Sequence, residues 1–175
     1  VLPQILELRH RLHQIPELGL EERNTAEMVR ERLRACGVDL LPPFLETDAV
    51  GLLRGRAPAP GAAGCVLLRA DLDALPVEER RDRGWKSRHP GLSHACGHDG
   101  HTAMLLGAAE VLADLAGRFA GSVRFVFQPA EEELGGGLKL IEKGLLDQEP
   151  RPAAAFALHG WPGLAEGVLS AEPGT

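Results

Sequence analysis

The stretch TAMLLGAAEVLADLAGRFAGSVRFVFQPAEE, residues 102–132, decides the fold. From Thr102 to Ala116 it is almost entirely apolar, with only Glu110 and Asp114 charged, which describes a helix covered on most of its sides. Ser122 to Gln128 is short and rich in aromatic and β-branched residues, the composition of a strand. Upstream, Cys65-Val66-Leu67-Leu68 is an unbroken apolar run of the buried-strand type, and downstream Ala153 to Leu158 is a further apolar strand. Strand, helix, strand and again strand predict an α/β layered domain, a largely parallel sheet flanked by helices.

The flanking sequence fits that plan. Ile5, Leu8, Leu12 and Ile15 recur at helical spacing and the stripe closes at Pro16; Ala26, Val29, Leu33 and Cys36 repeat it up to Gly37, a natural C-terminal cap. Residues 50–55 read as a short strand and APAPGAAG at 57–64 as a turn-forming connection. Leu138, Ile141 and Leu145 mark a further helix ending at Gly144 or just beyond. Between Val77 and Ala95 no period is visible, and irregular segments of that length in compact domains tend to be functional.

Composition excludes several roles. With 44% apolar and 25% charged residues, 175 residues make a globular unit, and apolar runs are interrupted before the roughly 18 residues a membrane helix needs. A net charge of −6 repels nucleic acid and anionic membranes, and the 4% aromatic content leaves little to stack bases on. Three cysteines, with no secretory leader in view, point to a reducing, cytoplasmic setting. Cys36 and Cys65 fall on apolar positions and read as packing residues.

In open α/β sheets the ligand crevice lies beyond the carboxyl ends of the strands, and the polar residues gather there. Asp71 and Asp73 follow one strand, Glu131, Glu132 and Glu133 the next, and His159 the last. A fourth cluster, His94-Ala-Cys96-Gly-His98-Asp99-Gly-His101, opens the buried helix, expected to start near Thr102. Gly97 lets Cys96 and His98 converge, and thiolate with imidazole suits a borderline-soft divalent ion. The helix's positive end favours thiolate over thiol. Adjacent carboxylates on a turning backbone can diverge, so one binds metal while the other takes a proton from water. Asp73 suits the second role of a carboxylate near a metal, fixing the tautomer of a ligating histidine; strand alternation sends Asp71 to another side.

RADLDALP at 69–76, SHACGHDGH at 93–101, FQPAEE at 127–132 and LHGWPG at 158–163 occur in the order and spacing of the M20-type metallopeptidase superfamily. The chain resembles its amidohydrolase branch of hippurate hydrolases, N-acyl-amino-acid deacylases and auxin-conjugate hydrolases, and LRHRLHQIPELG at 8–19 resembles that branch's N-terminus. The resemblance implies Cys96 as the ligand between two divalent ions (zinc, manganese, cobalt or nickel), His98, Glu132 and His159 as further ligands, Glu131 as the general base and Asp73 as the residue orienting a histidine. It implies a small amide as substrate, an acyl group joined to an amino acid. Ser93 stands where methionine is common, and Glu133-Leu134 precede the glycines; neither removes a ligand. The family's last histidine ligand, and the smaller domain that closes over substrate and mediates homo-oligomers, match sequence beyond residue 175. The 175 residues then represent the N-terminal part of a catalytic domain. Two other readings remain: a metal-binding fragment with an incomplete ligand set, and Cys96 as a covalent nucleophile.

Overall fold

Alternating side chains of β4 (Ser122–Gln128) divide the molecule into two layers around a sheet. The computed structural model describes residues 2–59, 61 and 63–171. Phe125 and Phe127, both fully buried, face one side and pack with α1 (Leu2–His13), α2 (Arg23–Ala35) and α3 (His98–Asp114) through Leu8, Leu12, Val29, Leu33 and Leu106. Val126 faces the other side, with Leu67, Leu140 and Leu145 around α4 (Gly136–Glu142). Each large apolar side chain so buried contributes about 1.5–3 kcal/mol, which makes β4 the structural centre.

The sheet order is β1-β2-β4-β3-β5, with β1 at Asp39–Leu40, β2 at Ala49–Arg54, β3 at Cys65–Asp71 and β5 at Pro152–Ala157. β3 runs parallel to both β4 and β5, with Asp71 opposite Gln128 and Arg69 opposite Ala157. The expected parallel arrangement therefore holds for the three strands whose carboxyl ends carry the polar residues. β2 is antiparallel to β4, and β1 to β2, so the sheet as a whole is mixed. The short β1–β2 connection explains the antiparallel pair, because a parallel return needs a crossover of a dozen or more residues.

α3 begins at His98, four residues before the expected start. Gly97 adopts φ 88°, a left-handed conformation that a side chain disfavours, and Asp99 lies in the first turn, where a carboxylate complements the helix dipole. His98 and His101, three apart, thus share a helical face. In α4 the expected stripe is misassigned: Leu138 and Ile141 are exposed and Leu140 is buried. The reason is Gly136, where a Cβ would meet the Pro129 carbonyl oxygen at 1.8 Å, so backbone contact rather than an apolar stripe sets how this short helix lies. β5 is an edge strand with mostly exposed residues, Phe156 among them. Among the described residues no helix is long and apolar enough to cross a membrane.

The irregular segment after β3 is pinned at its ends. Leu75 and Ser93 form a two-bond antiparallel bridge, and the Ser93 hydroxyl donates to the Val77 carbonyl at 2.8 Å. Cys65 is buried and Cys36 partly so, as their apolar positions suggested.

Candidate metal centre

Because β3, β4 and β5 are parallel, the loops that follow them open at one edge, where α3 also begins. Cys96, His98 and His159 each bring a donor atom within 4.8 Å of the others there. His159 reaches the group from 63 residues away, its Nε2 lying 3.6 Å from Cys96 Sγ. Glu132 borders the group, with Oε1 3.5 Å from His98 Nε2.

The hydrogen bonds decide which nitrogens are free. His98 Nδ1 lies 3.1 Å from Asp73 Oδ1, and an ionised carboxylate only accepts, so Nδ1 carries a proton and the neutral ring has its lone pair on Nε2. That Nε2 is buried and has no hydrogen-bond partner. His159 Nδ1 donates to the Gly160 carbonyl at 2.8 Å, which again leaves Nε2 facing the cluster. His101 differs: its Nδ1 donates to Asp71 Oδ1 at 2.7 Å and its Nε2 accepts the Gly160 N–H at 2.9 Å. Both nitrogens are used, so His101 fixes the loop that carries His159 rather than offering a ligand. An orphaned imidazole nitrogen beside a thiol, a second imidazole and a carboxylate fits a divalent ion of the zinc type.

Asp73 couples two strand ends. Its Oδ1 holds His98 and its Oδ2 accepts the Glu132 N–H at 3.0 Å. Burial pushes its pKa up, but the bonds from His98 and from the Glu132 and Glu131 amides outweigh burial and hold it below the usual carboxylate value. The expectation that Asp71 points elsewhere is corrected. β3 ends at Asp71, alternation lapses there, and Asp71 Oδ2 lies 3.6 Å from His98 Nε2.

Glu131 and Glu132 diverge as adjacent carboxylates on a turn can, but Glu131 is not free. Its Oε2 accepts from Arg69 Nη2 and from Gln128 Nε2, each at 2.6 Å. Arg69 also donates to Asp71 at 2.9 Å and to the Gln128 side chain at 3.0 Å, so one guanidinium ties the ends of β3 and β4 to the acidic turn.

The thiol environment reverses the expectation from the helix dipole. Burial first, then the carboxylates of Glu132, Asp71 and Asp73, push Cys96 up to about 12. A covalent nucleophile needs the opposite shift, whereas the same concentration of negative charge attracts a cation.

The sequence reading gave no role to Glu22 or Arg69, and it named Asp71 and His101 without assigning them a part in the centre. HDGH at 98–101 carried a signal for His101 in its helical spacing; Glu22 carried none. Glu22 is fully buried and its Oε1 accepts the N–H of Ala130, a residue at φ 56° that begins the acidic turn. Burial pushes its carboxyl from 4.5 up to about 7. The folded state thus binds the proton more tightly than the unfolded chain, and the corresponding stability is present below pH 4.5 and lost as pH rises through about 7. Glu22→Gln keeps an acceptor for Ala130 without the charge. Its stability is expected to match the parent at pH 4 and exceed it at pH 8 by as much as about 3 kcal/mol. Urea denaturation at the two pH values measures this, and parallel pH profiles for the two proteins contradict it.

Fold and donor set together define a class, an α/β domain with a sulfur, nitrogen and oxygen donor centre at the carboxyl edge of its parallel strands. The chain belongs to peptidase family M20/M25/M40, whose family model matches residues 67–174. N-acetyl-L-cysteine deacetylase of Bacillus subtilis (strain 168) is 40% identical over 98% of this chain and 39% of its own length. IAA-amino acid hydrolase ILR1-like 4 of Arabidopsis thaliana is 44% identical over 95% of this chain and 36% of its own. The crystal structure of Bacillus subtilis YXEP protein, a dinuclear metal binding peptidase from the M20 family, matches with a TM-score of 0.85 at 36% identity, over 93% of this chain and 44% of that one. The chain therefore spans about two fifths of the length of these relatives.

Proposed function

We propose that these residues belong to a metal-dependent amidohydrolase that cleaves the amide bond of N-acyl amino acids or related small amides. The observation that carries it is the convergence of Cys96 Sγ with Nε2 of His98 and Nε2 of His159, whose Nδ1 atoms are engaged elsewhere. The hydrolytic names of the relatives support the reaction type, and the dinuclear description of YXEP supports two ions, which Cys96, His98, Glu132 and His159 would hold. The family resemblance implies one more ligand, and a domain that closes the site and joins subunits, outside these 175 residues.

Bound divalent ions lower the pKa of water and polarise the amide carbonyl. The remaining work falls to side chains of this chain. Glu131 accepts the proton of the attacking water and delivers it to the leaving nitrogen, an exchange that raises rates by about 10²–10⁴-fold. Arg69, at 2.6 Å, orients that carboxylate, and Asp73 keeps His98 in the ligating tautomer.

The test is metal analysis beside hydrolysis of a panel of N-acetyl, N-benzoyl and N-indoleacetyl amino acids. About two equivalents of divalent metal are expected, with hydrolysis abolished by chelator and restored by added zinc or manganese. Hydrolysis that ignores the chelator, or a protein that takes up no metal, contradicts the reading. The span of about two fifths favours a second outcome for these 175 residues alone: metal uptake without turnover, the behaviour of an incomplete ligand set.

A further inference from the structure

The stretch LRHRLHQIPELG at 8–19 supplies nothing to the donor centre, but it holds the irregular segment that follows β3. The Gln14 carbonyl accepts the Arg88 N–H at 3.0 Å, and the Pro16 carbonyl accepts from His89 Nδ1 at 2.9 Å. Trp85 stacks on His10 with 4.7 Å between ring centres and meets His13 edge-on at 4.8 Å. These contacts fix residues 85–89, the far part of the segment. The near part, 77–83, lines a cavity of about 810 Å³ whose wall also includes His13, Cys96 and Gly97. Its hydrogen bond to α1 joins His13 Nε2 to Glu79 Oε2 at 3.2 Å.

The His13 ring is buried and engaged on both sides, for its Nδ1 lies 2.9 Å from Oδ2 of the fully buried Asp99 in the first turn of α3. An ionised carboxylate accepts and never donates, so a ring that bonds two of them needs a proton on each nitrogen. A neutral imidazole has one such proton and leaves one carboxylate unserved. Burial pushes the His13 pKa down, but the bonds to Asp99 and Glu79 outweigh burial and hold it above the usual 6.5. Besides those two carboxylates, from α3 and from the loop, the groups around the ring are His94, 6.1 Å away between ring centres, and Arg9 of α1, which donates to the same Asp99 oxygen at 3.2 Å. Arg83 and His10 stand beyond it, against Trp85.

We propose that His13 is a positioning residue, an imidazolium that joins Asp99 at the head of α3 to Glu79 in the 77–83 loop and so sets the wall of the cavity beside Cys96. The clasp is closed while both ring nitrogens carry protons. It opens as pH rises through the raised His13 value, when one of the two bonds is lost. The bond that survives is the one to Asp99, because an unserved carboxylate costs most where it is buried, and Glu79 keeps some contact with water. The loop end is therefore the end that lets go. That substrate occupies this cavity rests on the amidohydrolase reading; the clasp itself does not.

Nitrogen NMR of the labelled histidines and amide hydrogen exchange along the 175 residues test this without metal or turnover, so the clasp and the amidohydrolase reading fail separately. Glu22→Gln is carried in every sample, because Glu22 titrates in the same range. At about pH 7.5, where an ordinary histidine is mostly neutral, both His13 nitrogens should be protonated. After correction for intrinsic exchange rates, protection at 77–87 relative to β4 is expected to fall about ten-fold between about pH 6 and about pH 9, the order of one lost bond to a charged group. His13→Gln should show the lower protection at both pH values. His13→Lys should keep the higher at both, since an ammonium has donors for two carboxylates and stays charged. Glu79→Gln leaves the buried His13 and Asp99 pair in place, so it serves even where a change at His13 unfolds the chain; it should loosen the same residues and lower the pH at which His13 titrates. A His13 ring bare at one nitrogen at about pH 7.5, loop protection that ignores pH, or His13→Gln as protected as the parent at about pH 6 each overturns the clasp.

Discussion

Glu131→Gln in a metal-loaded form that also carries the remaining length of the relatives is expected to hydrolyse N-acyl amino acids on the order of 10³-fold more slowly than its parent, with the same metal content. The amide occupies the same volume as the carboxylate but cannot take a proton from water. Metal content should hold because Glu131 is outside the group formed by Cys96, His98 and His159, and Glu132 rather than Glu131 borders His98 Nε2. The amide oxygen can still accept from Arg69, so the turn should keep its shape. Paired measurements of kcat and metal stoichiometry decide the point. Parent-like turnover assigns the base elsewhere, and a loss of metal alongside activity makes Glu131 a ligand.

The second large effect concerns metal affinity. Asp73→Asn should weaken binding by about 10–100-fold, the usual consequence of losing the carboxylate behind a ligating histidine. The reason is specific here, because Asp73 accepts from both His98 Nδ1 and the Glu132 N–H, and an amide can offer only one oxygen to the two donors. His98→Ala should cost more, since it removes the buried Nε2 itself. Competition against a chromophoric zinc chelator measures both variants, with circular dichroism as the control for folding. Asp73→Asn binding zinc as tightly as the parent contradicts the orienting role.

Much of the molecule is legible in the sequence itself. The strand at Ser122–Gln128 lies where its composition puts it, and the apolar runs at Cys65 and Ala153 are strands of the same parallel set, the second on its exposed edge. A short apolar or β-branched run marks a strand and an apolar residue at every third or fourth position marks a helix, so local sequence carries these elements directly. The weaker readings involve backbone. The start of α3 depends on Gly97 turning left-handed, and the lie of α4 on Gly136 touching Pro129; neither produces an apolar period.

The candidate donors likewise belong to the sequence. Cys96, His98, Glu132 and His159 are recognisable because sulfur, imidazole and carboxylate groups follow strand ends or open a helix, and the reading needs only their types and spacing. What the tertiary structure alone decides is which of their atoms are available. His98 and His159 present Nε2 because Asp73 and the Gly160 carbonyl claim the other nitrogens, His101 is withdrawn from the donors by Asp71 and Gly160, and Glu131 is held by Arg69. His98 with Asp73, His101 with Asp71 and with Gly160, and Glu131 with Arg69 join residues 25 to 62 positions apart, brought together by parallel strands and the start of α3. A hydrogen bond acts over about 3 Å of space, whatever the separation along the chain, so only the folded arrangement could assign it.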